Sequence, residues 1–91
     1  MKTSITPEEI EKLLSEAKII TTTIFDKVTV VHAKLASGFV ITESVGAVNK
    51  KNYDEAFGRE ICINKIRDQL WLLEGYALQK TIHRGEPKHA T

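Results

Sequence analysis

The chain reads as a small α+β domain. A mostly antiparallel sheet of three or four strands is expected to carry a short N-terminal helix and one long helix on one face. Three observations predict this. Residues 5–17 open with a dense helix start and continue with apolar residues at helical spacing. Residues 18–45 switch to β-branched residues that alternate with period two, broken by turn residues. Residues 49–76 return to a helical pattern much longer than the first.

The first helix has the clearest signal. In Ile5-Thr6-Pro7-Glu8-Glu9-Ile10, Thr6 suits the N-cap, Pro7 the first helical position and Glu9 the third, which completes a capping box. Ile5 and Ile10 are spaced for a hydrophobic staple across that cap. Ile10, Leu13, Leu14 and Ala17 then follow one helical face, so the helix is expected from Pro7 to about Ala17. Glu8, Glu9 and Glu11 near its start suit the helix dipole.

From Lys18 the period changes. Ile19-Ile20-Thr21-Thr22-Thr23-Ile24-Phe25 and the stretch from Lys27 to Leu35 favour strands. In the second of these, Thr29, Val31, Ala33 and Leu35 alternate with Val28, Val30, His32 and Lys34. Asp26-Lys27 between them reads equally as a tight turn or a bulge. Ala36-Ser37-Gly38 is a turn, with glycine where positive φ is cheap, and Phe39 to Val45 returns as a partner strand.

The long helix is expected to start at Asn52, an N-cap residue with Glu55 at capping-box spacing. It is expected to stop at Gly75 in the left-handed C′ position, with Tyr76 packing back on Trp71. Wound at 100° per residue, Ala56, Cys62, Ile63, Ile66, Leu70 and Leu73 share one flank, and Tyr53, Phe57, Ile61 and Trp71 share a second. Burying six such side chains contributes on the order of 10 kcal/mol before entropy is subtracted. Tyr76-Ala77-Leu78 would then be a short last strand. Residues 1–80 make a single domain, and residues 81–91, poor in apolar side chains, are expected to be a mobile tail.

At 91 residues the chain supports one modest core. No apolar run approaches the length that spans a bilayer, and the N-terminus has no secretory pattern. The single Cys62 excludes an internal disulfide and fits a reducing compartment. Net charge is +1. Residues 1–26 hold three bases and five acids, the long-helix region holds five of each, and residues 80–91 hold three bases and one acid. This is not the basic stripe of a nucleic-acid binder, so nucleic acid and membrane are not expected partners.

Two fragments carry a resemblance. The first runs from Gly38-Phe39 through Glu43-Ser44 to Asn52-Tyr53-Asp54. The second is Leu70-Trp71-Leu72-Leu73-Glu74-Gly75-Tyr76. Together, over roughly residues 19–79, the chain resembles the small tailed-phage proteins of the gene-product-49/gene-66 family. The Leu-Glu-Gly-Tyr ending after an amphipathic helix is the most specific part. Family members often carry a proline just before it, where this chain has Leu72, and that difference lets the helix run further here. The resemblance implies a phage origin and the cytoplasm of a bacterial host. It supplies no reaction and no catalytic residues.

The residues themselves offer no enzyme motif. The sequence contains no phosphate-binding glycine loop, no paired-histidine metal site and no nucleophile elbow, and no acid, base and nucleophile can be named together. A non-enzymatic role without cofactor or metal is therefore expected. His32 in mid-strand reads as structural, and Cys62 between Ile61 and Ile63 as packing.

Asn49-Lys50-Lys51-Asn52-Tyr53 is the candidate ligand site. Free N–H groups at a helix start beside two lysines suit an anion, against the plainer reading of a solvated loop with Asp54 and Glu55 already facing the dipole. Arg59 falls on the apolar side of the same helix. It either snorkels to solvent, pairs with a carboxylate such as Glu43, or forks onto a phosphate or carboxylate. Arg67 reads as an exposed partner of Asp68. The candidate interface is Tyr53, Phe57 and Trp71, because a small sheet covers only one flank of a long helix well. The expectation is a homo-oligomeric binding protein of host takeover or counter-defence. Its candidate target is a small anionic nucleotide held between protomers, or alternatively a host protein. An accessory or assembly role without any defence function stays open.

Overall fold

A computed structural model describes residues 2–85. Helix α1 (Pro7–Glu16) is followed by strands β1 (Lys18–Ile24), β2 (Val28–Lys34) and β3 (Val40–Gly46), a short 3-10 turn (Lys50–Asn52) and helix α2 (Glu55–Gly85). The sheet is an antiparallel meander in the order β1-β2-β3. Both helices lie on one face of it. The core gathers Ile10 and Leu14 of α1, Val31 and Ala33 of β2, Ile41 of β3, and Cys62, Ile66 and Leu70 of α2. The α+β arrangement is the one the sequence predicts.

The start of α1 is built as its residues dictate. Thr6 is extended, its Oγ1 accepts from the Glu9 amide at 3.2 Å, and Pro7 opens the helix. Lys2 pairs with the Glu9 carboxylate and holds its pKa below the ordinary value. Between β1 and β2 the chain makes a tight turn. Phe25 and Asp26 both take left-handed φ, and the Lys27 amide donates to Ile24 O at 3.2 Å. At the other hairpin Gly38 has φ +98°, and the Leu35 amide donates to Phe39 O at 2.8 Å.

Strand alternation fixes which residues meet the helices. Thr29, Val31 and Ala33 of β2 are fully buried under α2, whereas Val28, Val30, His32 and Lys34 face the uncovered side. On α2 the buried residues are Gly58, Cys62, Ile66 and Leu70, one row at i+4 spacing. Gly58 is the point of closest approach. A Cβ there would lie 2.4 Å from Thr29 Oγ1 and 2.9 Å from Thr29 Cβ.

The structure corrects the expected limits of α2. Its N-cap is Asp54, not Asn52: Asp54 Oδ1 accepts from the Phe57 amide at 3.1 Å, and Asn52 belongs to the preceding 3-10 turn. Tyr53 consequently lies outside the helix, and Ala56 is exposed instead of joining the core flank. At the other end Gly75 is helical, and Tyr76, Ala77 and Leu78 continue the helix with no fourth strand among the described residues. One glycine costs a helix only about 1 kcal/mol, and the flanking Leu72, Leu73, Glu74, Ala77, Leu78, Gln79 and Lys80 are good helix formers with no proline among them. Of the expected tail, residues 81–85 form the last turn of α2, where His83 and Arg84 suit the helix dipole. Residues 86–91 of that tail lie outside the described residues.

Arg67 also departs from expectation. It reaches across to α1, with Nε donating to Glu11 Oε2 at 2.7 Å and Nη2 to Oε1 at 3.1 Å. The helix pair brings Glu11 within reach of two guanidinium nitrogens, a fork that Asp68, the next residue along α2, does not form. The guanidinium lowers the pKa of Glu11 below the ordinary carboxylate value. A carboxylate whose folded pKa is depressed contributes stability that is present above its unfolded pKa and lost as pH falls through the folded value. The stability gap between wild type and Glu11→Gln should therefore be widest near neutral pH and should close on acidification below about pH 4, as read by urea melts at several pH values.

Gly58 and Gly75, both inside α2, predict opposite outcomes. Gly58→Ala forces α2 off Thr29 and should cost about 1–3 kcal/mol. Gly75→Ala meets nothing within 4 Å and should stabilise by about 0.5–1 kcal/mol. Thermal melts resolve both, since 1 kcal/mol moves the midpoint of a domain of this size by roughly 4–8 °C.

Candidate functional site

The segment between β3 and α2 holds most of the sequence-selected residues. Asn49 Oδ1 accepts from the Lys51 amide at 2.9 Å and caps the 3-10 turn. That turn directs Tyr53 under the sheet. The Tyr53 hydroxyl lies 2.8 Å from Thr23 Oγ1 on β1 and 2.8 Å from Thr29 Oγ1 on β2. Thr23 gives its own hydroxyl proton to the Glu55 carboxylate. Tyr53 therefore donates to Thr23, and Thr29 donates to Tyr53. The relay ends on a carboxylate in the first turn of α2 and ties two strands to the helix start.

A cavity of about 140 Å³ opens beside this relay, lined by Thr29, Val45, Asn52, Tyr53, Phe57 and Gly58 among others. Of the six candidate ligand residues, Asn52 and Tyr53 line it. The others point elsewhere. Asn49 uses its side chain as a cap, Lys51 is exposed, and Lys50 Nζ lies 4.0 Å from Asp26 Oδ2. Arg59 donates from Nε to Thr21 Oγ1 at 3.1 Å, on the β1 side, and Glu43 instead accepts from Gln69. At the start of α2 the Phe57 amide is taken by Asp54 Oδ1, and Glu55 lies in the first turn.

The three candidate interface residues divide. Tyr53 is half-buried in the relay. Phe57 and Trp71 are 53% and 38% exposed. Leu72 and Tyr76, which the sequence reading left out, are more exposed still and lie further along the same helix. Lys80 Nζ sits 5.4 Å from the Tyr76 ring centre.

Three residues of this region escaped the sequence reading: Thr23, Thr29 and Gly58. The threonines give no local signal, because their partner lies 30 and 24 residues away. Gly58 does give one, since it sits four residues before Cys62 in the buried row. Cys62 itself packs at the core, where burial raises its pKa above the ordinary thiol value. His32 Nδ1 lies 2.9 Å from Thr42 Oγ1 on the uncovered face. Among the described residues no group of three or more His, Cys, Asp or Glu is placed to hold a metal ion, and no helix is long and apolar enough to cross a membrane.

Removing the Tyr53 hydroxyl would leave the buried Thr29 hydroxyl without its side-chain partner. Tyr53→Phe should cost about 1–3 kcal/mol in a denaturant melt, with the fold retained by circular dichroism.

No curated protein and no solved structure matches the chain. A family match covers residues 5–82, from the residue before the α1 cap through all three strands and nearly all of α2. That span takes in both fragments on which the resemblance rests, and the chain belongs to the phage protein (N4 Gp49/phage Sf6 gene 66) family.

Proposed function

We propose that this phage protein is a non-catalytic accessory factor that acts by binding, in the cytoplasm of the infected host, and that its target is a host protein. The observation that carries the reading is a set of large apolar side chains left exposed on α2. Phe57, Trp71, Leu72 and Tyr76 stand exposed at intervals along some five turns of one helix. Large aromatic and aliphatic side chains on a rigid helix are the residues that anchor protein interfaces. The same side chains support self-association, so a homo-oligomer is part of the proposal.

A second reading, counter-defence by sequestering an anionic nucleotide, draws on a separate observation. Asn52 and Tyr53 line a cavity in the segment that also carries Lys50 and Lys51. At about 140 Å³ that cavity is smaller than the usual ligand pocket of roughly 300 Å³ or more, so a nucleotide would need a second protomer to enclose it. Asn49 and Arg59 would take part only from that neighbouring copy or after rearrangement.

Tagged protein expressed in the host should co-elute with one host protein in fixed stoichiometry. Phe57→Glu with Trp71→Glu should abolish that complex while leaving the circular dichroism spectrum unchanged. Light scattering at high concentration should show a dimer or larger species that the same double variant reduces to monomer; a strict monomer removes the self-association. Calorimetry against cyclic oligonucleotides and adenine dinucleotides separates the readings. Sub-micromolar binding there, with no host protein retained, replaces the first by the second.

A further inference from the structure

We infer that the uncovered face of the sheet holds an anion-binding site for a compact organic phosphate of nucleotide size, built by Lys18, His32 and Lys34 over Ile20 and Val40. This goes beyond the reading above and uses neither α2 nor the Asn49–Tyr53 segment.

The strand register makes the site. Lys18 on β1 pairs directly with Lys34 on β2, and Lys34 pairs with Val40 on β3. One row along, Ile20 pairs with His32, and His32 with Thr42. All six side chains fall on the face turned away from both helices. Side chains directly opposite across an antiparallel ladder have Cβ atoms about 4.5–5.5 Å apart, where like charges repel. No acid lies in these rows or in the next, Thr22–Val30–Ser44, and among the described residues neither lysine has an ion-pair partner. Two exposed lysines thus stand opposite each other on the ladder, with no acid in these rows of the face. An anion carrying two negative charges matches that arrangement.

The site also has a body. Lys18, Ile20, His32, Lys34 and Val40 line a cavity of about 290 Å³. Ile20 and Val40 are 52% and 51% exposed, so its floor is apolar and open. This volume is near the lower end for small-ligand sites and suits a ligand with an organic part beside its phosphate. His32 is oriented by the Nδ1 contact to Thr42 Oγ1 at 2.9 Å, which leaves Nε2 as its other hydrogen-bonding atom. Lysines serve here as point charges for phosphate, and the aliphatic floor takes the organic body.

Adenosine 5′-monophosphate is the probe, with inorganic phosphate, adenosine and phosphatidylglycerol vesicles as comparators. The monophosphate should bind the full chain by calorimetry and raise its melting temperature, and should do so more tightly than phosphate or adenosine alone. Lys18→Ala and Lys34→Ala should each weaken it by roughly tenfold, and Lys34→Arg should retain it. Without ligand, neither alanine variant should lower the melting temperature, because each removes a repulsion. The proposal is overturned if the monophosphate binds no better than inorganic phosphate or adenosine, or if both alanine variants bind it as wild type does. Binding to the vesicles without binding of the soluble monophosphate also overturns it, and shows a lipid surface in its place.

Discussion

The contact between Gly58 and Thr29 sets the geometry of the molecule. A helix packs on a sheet at a distance fixed by its side chains, and at the contact point on α2 Gly58 has none. That lets the helix settle onto the middle strand with Cys62, Ile66 and Leu70 aligned behind it over the sheet. The close approach buries the Thr29 hydroxyl completely, which makes a partner obligatory. Tyr53 supplies it, and supplies it only because the 3-10 turn ahead of α2 brings the ring beneath the strands. A missing side chain on the helix, a buried hydroxyl on the strand and a turn in the connecting loop are thus parts of one arrangement.

What the sequence showed and what it hid follow from the range of the forces involved. The start of α1 was legible because Thr6, Pro7 and Glu9 act within one turn. The hairpin at Gly38 was legible for the same reason, and strand alternation placed Thr29, Val31 and Ala33 on one face. The end of α2 was misread because a lone glycine is a weak stop signal when helix formers surround it. Asn52 and Asp54 both suit a cap, and the choice between them fell to the 3-10 turn. The candidate ligand residues share a short stretch of chain, but the fold turns Lys50 toward Asp26 and Arg59 toward Thr21. Arg67 found its partner 56 residues away, at a distance no local pattern reports. The pairing of Lys18 with Lys34 needs the register of two strands, and the Asp26 region, where the sequence left turn and bulge open, sets that register.

The fold leaves the protein with two separate outer surfaces. A single sheet with helices on one side has one buried layer, and everything else faces outward. On α2 that surface sets Phe57, Trp71, Leu72 and Tyr76 among charged and polar side chains. On the sheet it combines β-branched side chains with a pair of lysines. The two lie on opposite sides of the core, so a substitution on one leaves the other intact. For a domain of this size, short of material for an enclosed cleft, such a division lets distinct contacts be made without a second domain.

The meander order has a consequence for how the chain folds. Each strand pairs with its sequence neighbour through a short turn, so the whole sheet is assembled from local loop closures. The helices bring the longer closures: Tyr53 meets its two threonines across 24 and 30 residues, and Arg67 meets Glu11 across 56. Loop-closure entropy then favours a transition state in which the hairpins are formed and α2 is still arriving. In that sequence of events the contacts at Gly58 and Tyr53 form late. Contacts formed after the transition state set how quickly a native protein opens more than how quickly it forms, so substitutions at the helix–sheet seam are expected to act mainly on the unfolding rate.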